Sequence, residues 1–445
     1  MASDRRVVIT GLGVAAPIGI GIEAFWDALI QKQCGVRRIE AFDPSGFASQ
    51  IGGELPDFAV RDFVPKGYRK NAKVMSRDIV IAVVCAYHAV KDAGLATKCL
   101  IERGEAEGSG DLDSRRFGAN IGAGHIAPNL PELSEAFATA AEDNRFSLLR
   151  WGAEGMTNLT PLWLLKYLPN MLACHVTIVH DAQAPSNTIT CQEASSHLAI
   201  GEAYRSIARG AADVCICGGA ETKIAPMGLG RPQLWGRLNT QSNSTPEKGS
   251  RPFGADRTGM VAAEGGGLVI LESLEHARNR NAGIYAEVVG FGAATDTTSW
   301  STPDASGKHI ALALRNAMRD ADIEPDKINL VNPLGAGTVE HDRAEMAGWN
   351  EAFGDALTEV PAMTTRGANG NNGAGSGAIE FAAMVMAQHR NTVPPSRNTD
   401  HLDQACRFRF VQNDPTDAPI HHAISLGHAF TGGQTGALVT RRYQE

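Results

Sequence analysis

The sequence lacks several features that would assign it to a class at once. No uninterrupted apolar run approaches about 18 residues, which argues against a transmembrane helix. The 41 Lys and Arg are outnumbered by 49 Asp and Glu, leaving a net charge of −8, which argues against nucleic acid as the main partner. The eight cysteines have no zinc-finger spacing, and no signal peptide precedes the first strand-like run. We therefore expect reduced thiols in a cytoplasmic protein without a metal ion or cofactor.

Strand-like and helix-like patterns alternate along the 445 residues, which indicates an α/β fold. The pattern also repeats. Residues 283–292 match the strand and Gly-x-Gly turn of residues 6–13, and the strand–turn–helix pattern of 187–209 recurs at 363–389. Helices are expected at 23–31, 78–92, 308–320 and 377–389. We infer two related halves, residues 1–275 and 276–445.

The most informative stretch is 187–201, where a short β-rich run turns into a helix. Helical spacing places Ala194, Leu198, Ala203 and Ile207 on one apolar face. Glu193 stands at the turn. Backbone N–H groups and the positive end of a helix dipole stabilise an anion there, whether a thiolate or a carboxylate. A carboxylate is a poor acyl carrier beside a thiolate.

Several short blocks, in this order and at this spacing, carry a resemblance that covers residues 7–438. The chain resembles a β-ketoacyl-acyl-carrier-protein synthase of the elongating type, within the thiolase-fold superfamily. The resemblance implies a five-layer αβαβα fold with two duplicated halves, and a tight dimer. The blocks are Val8–Gly13, Gly210–Val214, Gly218–Glu221, Arg251–Phe253 with Asp256 and Arg257, Glu264–Glu272, and Gly432–Gly433.

The family's catalytic positions are occupied by other residue types here. Ketosynthases use a cysteine that accepts the acyl chain and two histidines that assist decarboxylation and stabilise developing charge. The resemblance places Glu193 at the cysteine, Leu334 at the first histidine and Asn371 at the second. Arg366 replaces the family lysine. Leucine has no titrating group, and an amide takes no proton near neutral pH.

A fourth departure concerns the family's Gly-Phe-Gly-Gly gate. It aligns with Phe430, Thr431 and the two glycines that follow, so Thr431 takes the place of the gating phenylalanine.

Two alternatives keep the site active. Cys191 lies two residues before Glu193 and could be the nucleophile after a local shift of the alignment. His197 and His428 could act as substitute bases, although a lone histidine on a helix or loop is more often structural.

Glu193 itself has two interpretations. It could close the site through a salt bridge to Arg366 or mimic a charged intermediate, or it could be a drifted residue at a disused site. Glu264 is expected to be a structural carboxylate beside the site, and Arg366 is a candidate partner for it because an Arg–carboxylate fork is geometrically strong.

The resemblance implies two functions. Chain-length factors resemble ketosynthases, lack the cysteine, and pair with an active ketosynthase; they typically carry glutamine where this chain has Glu193. The first hypothesis is such a non-catalytic subunit in type II fatty-acid or polyketide biosynthesis, whose partners are an active synthase or a second copy, and acyl carrier protein. The alternative is an active acyltransferase or decarboxylase with rewired residues. The dimer interface is expected to include Thr188–Thr190 and Val214–Cys217.

Overall fold

The computed structural model describes residues 5–108, 112–430 and 433–444. No helix in this part of the chain is both long and apolar enough to cross a bilayer. The helices are α1 (Ile22–Ile30), α2 (Arg77–Asp92), α3 (Lys98–Glu102), α4 (Leu130–Thr139), α5 (Leu148–Ala153), α6 (Met171–His180), α7 (Ser195–Ala208), α8 (Pro226–Leu234), α9 (Leu274–Asn279), α10 (Lys308–Asp320), α11 (Val339–Phe353), α12 (Arg366–Asn369) and α13 (Ser376–Arg390).

The strands form one large mixed sheet and two small antiparallel pairs. They are β1 (Val7–Ala16), β2 (Gly19–Ile20), β3 (Val36–Arg38), β4 (Ile51–Gly53), β5 (Phe117–Ala123), β6 (Ala141–Glu142), β7 (Arg145–Phe146), β8 (Ser186–Ile189), β9 (Val214–Thr222), β10 (Ala262–Ser273), β11 (Ala286–Thr295), β12 (Leu330–Asn332), β13 (Pro361–Ala362), β14 (Thr392–Val393), β15 (Arg409–Phe410), β16 (Thr416–Asp417), β17 (His422–His428) and β18 (Gln434–Arg442). The small pairs are β6 with β7 and β14 with β16.

The large sheet contains the same strand order twice. From one edge inward the order is β8, β5, β9, β10, β1; counted along the chain among these five, they are the third, second, fourth, fifth and first. From the other side, inside the edge strand β15, the order is β13, β12, β17, β18, β11, and these five are again the third, second, fourth, fifth and first along the chain. The two halves join where Val7–Ile9 pairs antiparallel with residues 286–288. The duplication expected from the sequence is therefore confirmed, whereas its division at residue 275 stays a prediction.

Helices form three layers around the two halves of the sheet. One layer lies between the halves, and one covers the outer face of each half. Helices α2 and α6 pack on the strands of the first half, and α10 packs on β11 and β18 of the second half with α11 behind it. Helices α7 and α13 contact strands of both halves. This arrangement is the five-layer αβαβα fold that the resemblance implies.

The repeated Gly-x-Gly pattern lets a helix lie directly on the first strand of each half. A Cβ atom on Gly13 would lie 2.0 Å from the carbonyl oxygen of Cys85 in α2. A Cβ atom on Gly292 would lie 2.2 Å from the carbonyl oxygen of Ala313 in α10. A side chain at either position would force the helix away, so the pattern has a packing reason in both halves.

Helix α7 is buried on more than one face, which corrects the single apolar stripe expected for it. The polar His197 is fully buried, whereas Leu198 on the expected stripe is only half-buried. A Cβ atom on Gly201 would lie 2.3 Å from the Phe291 ring of β11. The expectation fails because α7 lies between two layers of strands, where a one-sided helical pattern is not required.

Strand β8 forms an edge of the large sheet. It pairs in parallel with β5, from Ser186 opposite Ala119 to Ile189 opposite Gly122, and no second strand borders it in the described residues. Strand β9, by contrast, lies between β5 and β10 and is buried throughout. The expectation that Val214–Cys217 helps to build a dimer interface is therefore wrong, because both edges of that strand are already paired.

Candidate functional site

The centre of the site is the turn between β8 and α7. A single 3-10 turn, Gln192–Ala194, connects them. Gln192 has a left-handed φ of 51°, a conformation that is uncommon for residues with a Cβ atom and is enriched at functional sites. The Cys191 amide donates a hydrogen bond of 2.7 Å to Ser195 Oγ. This geometry places Glu193 in the turn directly before α7, with only 1% of its surface exposed.

The Glu193 carboxylate contacts a cation and an amide. Lys223 Nζ lies 3.6 Å from Glu193 Oε1, and Asn371 Nδ2 donates to the same oxygen at 3.2 Å. Burial raises the pKa of the Glu193 carboxyl, but Lys223, Arg366 and the amide more than offset it and hold the pKa below its ordinary value. Glu193 is therefore ionised. Its other oxygen, Oε2, has no hydrogen-bond partner among the described residues.

Lys223 bridges two carboxylates. Its Nζ lies 3.2 Å from Glu221 Oε1, and Glu221 Oε2 accepts a 2.6 Å hydrogen bond from the Ala374 amide. Burial lowers the pKa of Lys223, but Glu221 and Glu193 more than offset it, so the pKa lies above its ordinary value. We call Glu193, Lys223 and Glu221 the ion triad. The sequence interpretation missed Lys223, although it lies two residues after the Gly218–Glu221 block.

The structure brings together the four positions that the resemblance singles out. Asn371 contacts Glu193 directly, and its Oδ1 lies 3.4 Å from Arg366 Nη1. Arg366 Nη1 also donates to Ser376 Oγ at 2.6 Å, and its Nε donates to the Leu334 carbonyl at 3.2 Å. One connected network therefore joins the turn before α7 to the loops that follow β12 and β13. The assignment of these positions to a nucleophile and two histidines stays a prediction.

The partners expected for two of the charged residues need correction. Lys223 forms the ion pair with Glu193, while the carboxylate nearest to Arg366 is Glu380, at 3.9 Å from its Nε. Glu264 pairs with Arg77 through two hydrogen bonds of 3.0 and 2.7 Å. The proposed Glu264–Arg366 fork is therefore wrong, because α2 brings a second arginine to Glu264.

The side chain of Leu334 packs among apolar side chains, whereas its backbone is hydrogen-bonded to charged groups. Its side chain is fully buried in a cluster that includes Leu238, Met260 and Phe430. Its backbone amide donates a 2.6 Å hydrogen bond to Glu345 Oε1. The loop is thus held by a buried carboxylate while the side chain contributes only packing.

A cavity of about 200 Å³ lies against the ion triad, lined also by Met260 and Phe430. Thr431, the expected gate position, lies outside the described residues. Among those residues, no group of three or more His, Cys, Asp or Glu side chains is arranged to hold a metal ion.

Two family models match consecutive parts of the chain and together cover most of its length. The N-terminal domain of β-ketoacyl synthases matches residues 4–277, and the C-terminal domain matches residues 285–400. The chain belongs to the β-ketoacyl synthase family.

The similarity to known relatives and to solved structures extends over almost the whole chain. A protein of Coxiella burnetii named 3-oxoacyl-[acyl-carrier-protein] synthase 2 is 33% identical over 98% of this chain and 99% of its own length. The ishigamide ketosynthase/chain length factor matches with a TM-score of 0.83 and 26% identity, over 99% of this chain and all of that one. A type II polyketide acyl-carrier protein in complex with its ketosynthase matches equally well, with a TM-score of 0.83, 26% identity and the same coverage.

The two histidines that were considered as substitute bases, His197 and His428, are buried in this β-ketoacyl synthase family member. His197 Nε2 lies 2.8 Å from Ser425 Oγ, and burial lowers its pKa to about 3. His428 Nε2 lies 3.3 Å from Glu345 Oε2. A histidine with so low a pKa is neutral at pH 7 and a weak base, so His197 is suited to a structural hydrogen bond.

Cys191 is the thiol closest to the turn, but its surroundings do not activate it. It is half-buried, and burial raises the pKa of its thiol. Reactive cysteines have a lowered pKa and neighbouring positive charge. Lys223, a positive charge beside this turn, is paired with the two carboxylates of the ion triad.

Proposed function

We propose that this chain is a ketosynthase-like subunit of type II fatty-acid or polyketide biosynthesis that carries no acyl group itself. It acts in the cytoplasm as a chain-length-factor-like partner of an active β-ketoacyl-ACP synthase. The observation that carries the proposal is the buried Glu193 carboxylate at the turn before α7, ion-paired with Lys223 and hydrogen-bonded by Asn371.

The chemistry of these three groups supports a non-catalytic site. Acyl transfer through a ketosynthase turn needs a nucleophile that both attacks a thioester and leaves again, which a thiolate does well. A carboxylate held below its ordinary pKa by an ammonium group is a stabilised anion and a weaker nucleophile. Asn371 and Leu334 supply neither an acid nor a base for decarboxylation.

The family relatives support a role within an assembly. One structural neighbour is a ketosynthase/chain length factor, and another is an acyl-carrier protein in complex with its ketosynthase. On this basis we assign the chain a ketosynthase partner or a second copy of itself, and an acyl carrier protein that serves the complex.

The edge of the sheet at β8 offers a surface for that partner. β8 leaves one edge of its backbone unpaired in the described residues, and such an edge can accept a strand from another chain. The segment that connects β5 to β8 exposes large apolar side chains: Leu149 is 84% exposed and Leu148 75%. Exposed apolar surface of this kind marks protein interfaces.

The isolated protein is expected to form no covalent adduct with acyl-ACP or acyl-CoA thioesters, because the turn presents a carboxylate and the Cys191 thiol is not activated. Intact-mass spectrometry after incubation with either thioester should show the unmodified 47.2 kDa chain. A Cys191→Ser variant is the matched control. An adduct that the control loses would overturn the proposal in favour of an active acyltransferase that uses Cys191.

The isolated protein is also expected to be a homodimer, and to exchange into a heterodimer when co-expressed with an active synthase of the same pathway. Light scattering at micromolar concentration should give about twice 47.2 kDa. Leu149→Asp should weaken the dimer because it places a charge in the proposed interface.

The control for that variant is Leu312→Asp on the outer helix α10, where Leu312 is likewise exposed. It should leave the dimer intact. A stable wild-type monomer, or no pairing with any active synthase, would leave the rewired enzyme as the better explanation.

A further inference from the structure

A cavity of about 640 Å³ lies beside the beginning of α2. Phe42, Met75 and Ile224 contribute apolar surface to its walls, and a few polar side chains are placed among them. Its size and its mixture of apolar walls with few polar groups are typical of sites that bind small organic molecules.

The charged side chains in these walls are paired, with one exception. Lys166 Nζ lies 2.6 Å from Glu132 Oε1, and Arg77 donates two hydrogen bonds to Glu264, of 3.0 and 2.7 Å. Asp78 also lines the cavity. No cation forms an ion pair with it in the part of the chain that the structure describes.

Asp78 is the second residue of α2, and only 1% of its surface is exposed. Its Oδ1 accepts a 3.0 Å hydrogen bond from the Thr222 amide at the end of β9. Burial raises the pKa of Asp78 to about 7, and the charges of Glu221 and Glu264 contribute to this increase. At neutral pH the site therefore keeps a proton on part of the molecules, because no other positive charge neutralises this carboxyl group.

An ammonium group beside Asp78 would take the place of that proton. A carboxylate and an ammonium group attract each other more strongly in a partly apolar cavity than in water. An apolar body attached to the ammonium group would also gain free energy by leaving water for the cavity walls. A neutral alcohol of the same size gains only the second contribution, and a ligand anion would be repelled by Asp78, Glu221 and Glu264.

We propose that this cavity binds a primary amine with an apolar body, and that Asp78 recognises its ammonium group. Such a site goes beyond the proposed function and does not depend on it, because amine binding is the same whether or not the chain carries an acyl group.

The test compares hexylamine with hexan-1-ol by isothermal titration calorimetry of the wild-type protein. At pH 8 hexylamine should bind at least about tenfold more tightly, because only the amine pairs with the carboxylate. Alkylammonium groups stay charged well above this pH, since they lose their proton at about pH 10.4. The affinity for hexylamine should rise about tenfold from pH 6 to pH 8, because the ionised fraction of Asp78 rises by that factor. The affinity for hexan-1-ol should not change.

Asp78→Asn has the same shape and can still accept the hydrogen bond from Thr222, but it carries no charge. Its affinities for the two ligands should differ by less than about twofold. The matched control is Asp92→Asn at the other end of α2. Asp92 accepts a 2.8 Å hydrogen bond from the Leu12 amide and does not line the cavity, so this variant should retain the preference for hexylamine and its pH dependence.

Equal wild-type affinities for the two ligands at pH 8, or a preference for hexylamine that Asp78→Asn retains, would overturn the proposal. If Asp78→Asn does not fold, as judged by circular dichroism, the wild-type pH series decides. A hexylamine affinity that rises with pH while the hexan-1-ol affinity stays constant supports recognition by Asp78, and a hexylamine affinity that is the same at pH 6 and pH 8 overturns it.

A second comparison distinguishes a free amine from an amine at the end of an acyl chain. It measures 6-aminohexanoyl-CoA against hexanoyl-CoA at pH 8. Tighter binding of the aminoacyl thioester that Asp78→Asn abolishes would support an amine carried on an acyl chain. Equal affinities would overturn that source and leave the free amine as the ligand.

Discussion

Replacing Arg366 by methionine is expected to lower the free energy of unfolding by about 3–5 kcal/mol, the cost of removing one partner from a buried ion pair. Arg366 and Glu380 are both almost fully buried, with 3.9 Å between Nε and Oε1. Arg366 also holds the loops around Leu334 and Asn371 through hydrogen bonds. The change therefore removes the cation beside Glu380. It also removes the hydrogen bonds that connect the loops around Leu334 and Asn371. Urea denaturation at fixed protein concentration measures this loss.

A second arginine serves as the control for Arg366→Met. Arg390 forms an ion pair of 2.9 Å with Glu23, and both side chains are largely exposed. Arg390→Met should change the free energy of unfolding by no more than about 1 kcal/mol, since exposed pairs contribute little. A loss of that small size for Arg366→Met as well would show that the buried network does not hold the site together.

Restoring the family's reactive residues is expected to have the largest effect on activity. Glu193→Cys alone should restore little, because Leu334 and Asn371 still supply no acid or base. Adding Leu334→His and Asn371→His should raise the rate of malonyl decarboxylation by roughly 10²–10⁴-fold for each acid/base group. The three positions are already close, since Asn371 contacts Glu193 and Arg366 connects Asn371 to Leu334.

The rate of CO₂ release from malonyl-CoA or malonyl-ACP measures this repair. A variant with both histidines and Glu193→Ala separates decarboxylation from acyl transfer, since it lacks the thiol. It should release CO₂ and form no acyl adduct. Substantial condensation by Glu193→Cys alone would show that Leu334 and Asn371 do not occupy the histidine positions.

Local sequence patterns were sufficient to predict several main elements of the fold. The helix expected at 308–320 has those bounds in the structure, and the repeated Gly-x-Gly pattern marks the first strand of each half. These features depend on neighbours a few residues apart, which periodicity records directly. The burial of α7 on several faces could not be predicted in this way, because it depends on strands of the other half.

The charged partners in the site were the least predictable feature. Glu264 pairs with Arg77, and Glu193 with Lys223, across long stretches of chain. A resemblance gives the positions that a family uses for chemistry, and Lys223 is not among the positions on which this resemblance rests. Which distant charges meet is set by the packing of whole helices and strands, so only the structure identified the ion triad.

The position of β1 in the sheet sets the order in which a nascent chain can complete it. β1 is synthesised first, but its long partners β10 and β11 lie on either side of it and leave the ribosome roughly 250 residues later. At about 5–20 residues per second this delay is on the order of 10–50 s. During that time ten residues that are all buried in the folded protein lack both partners. Translation speed and chaperone capacity therefore bear on the yield of this protein through its first strand.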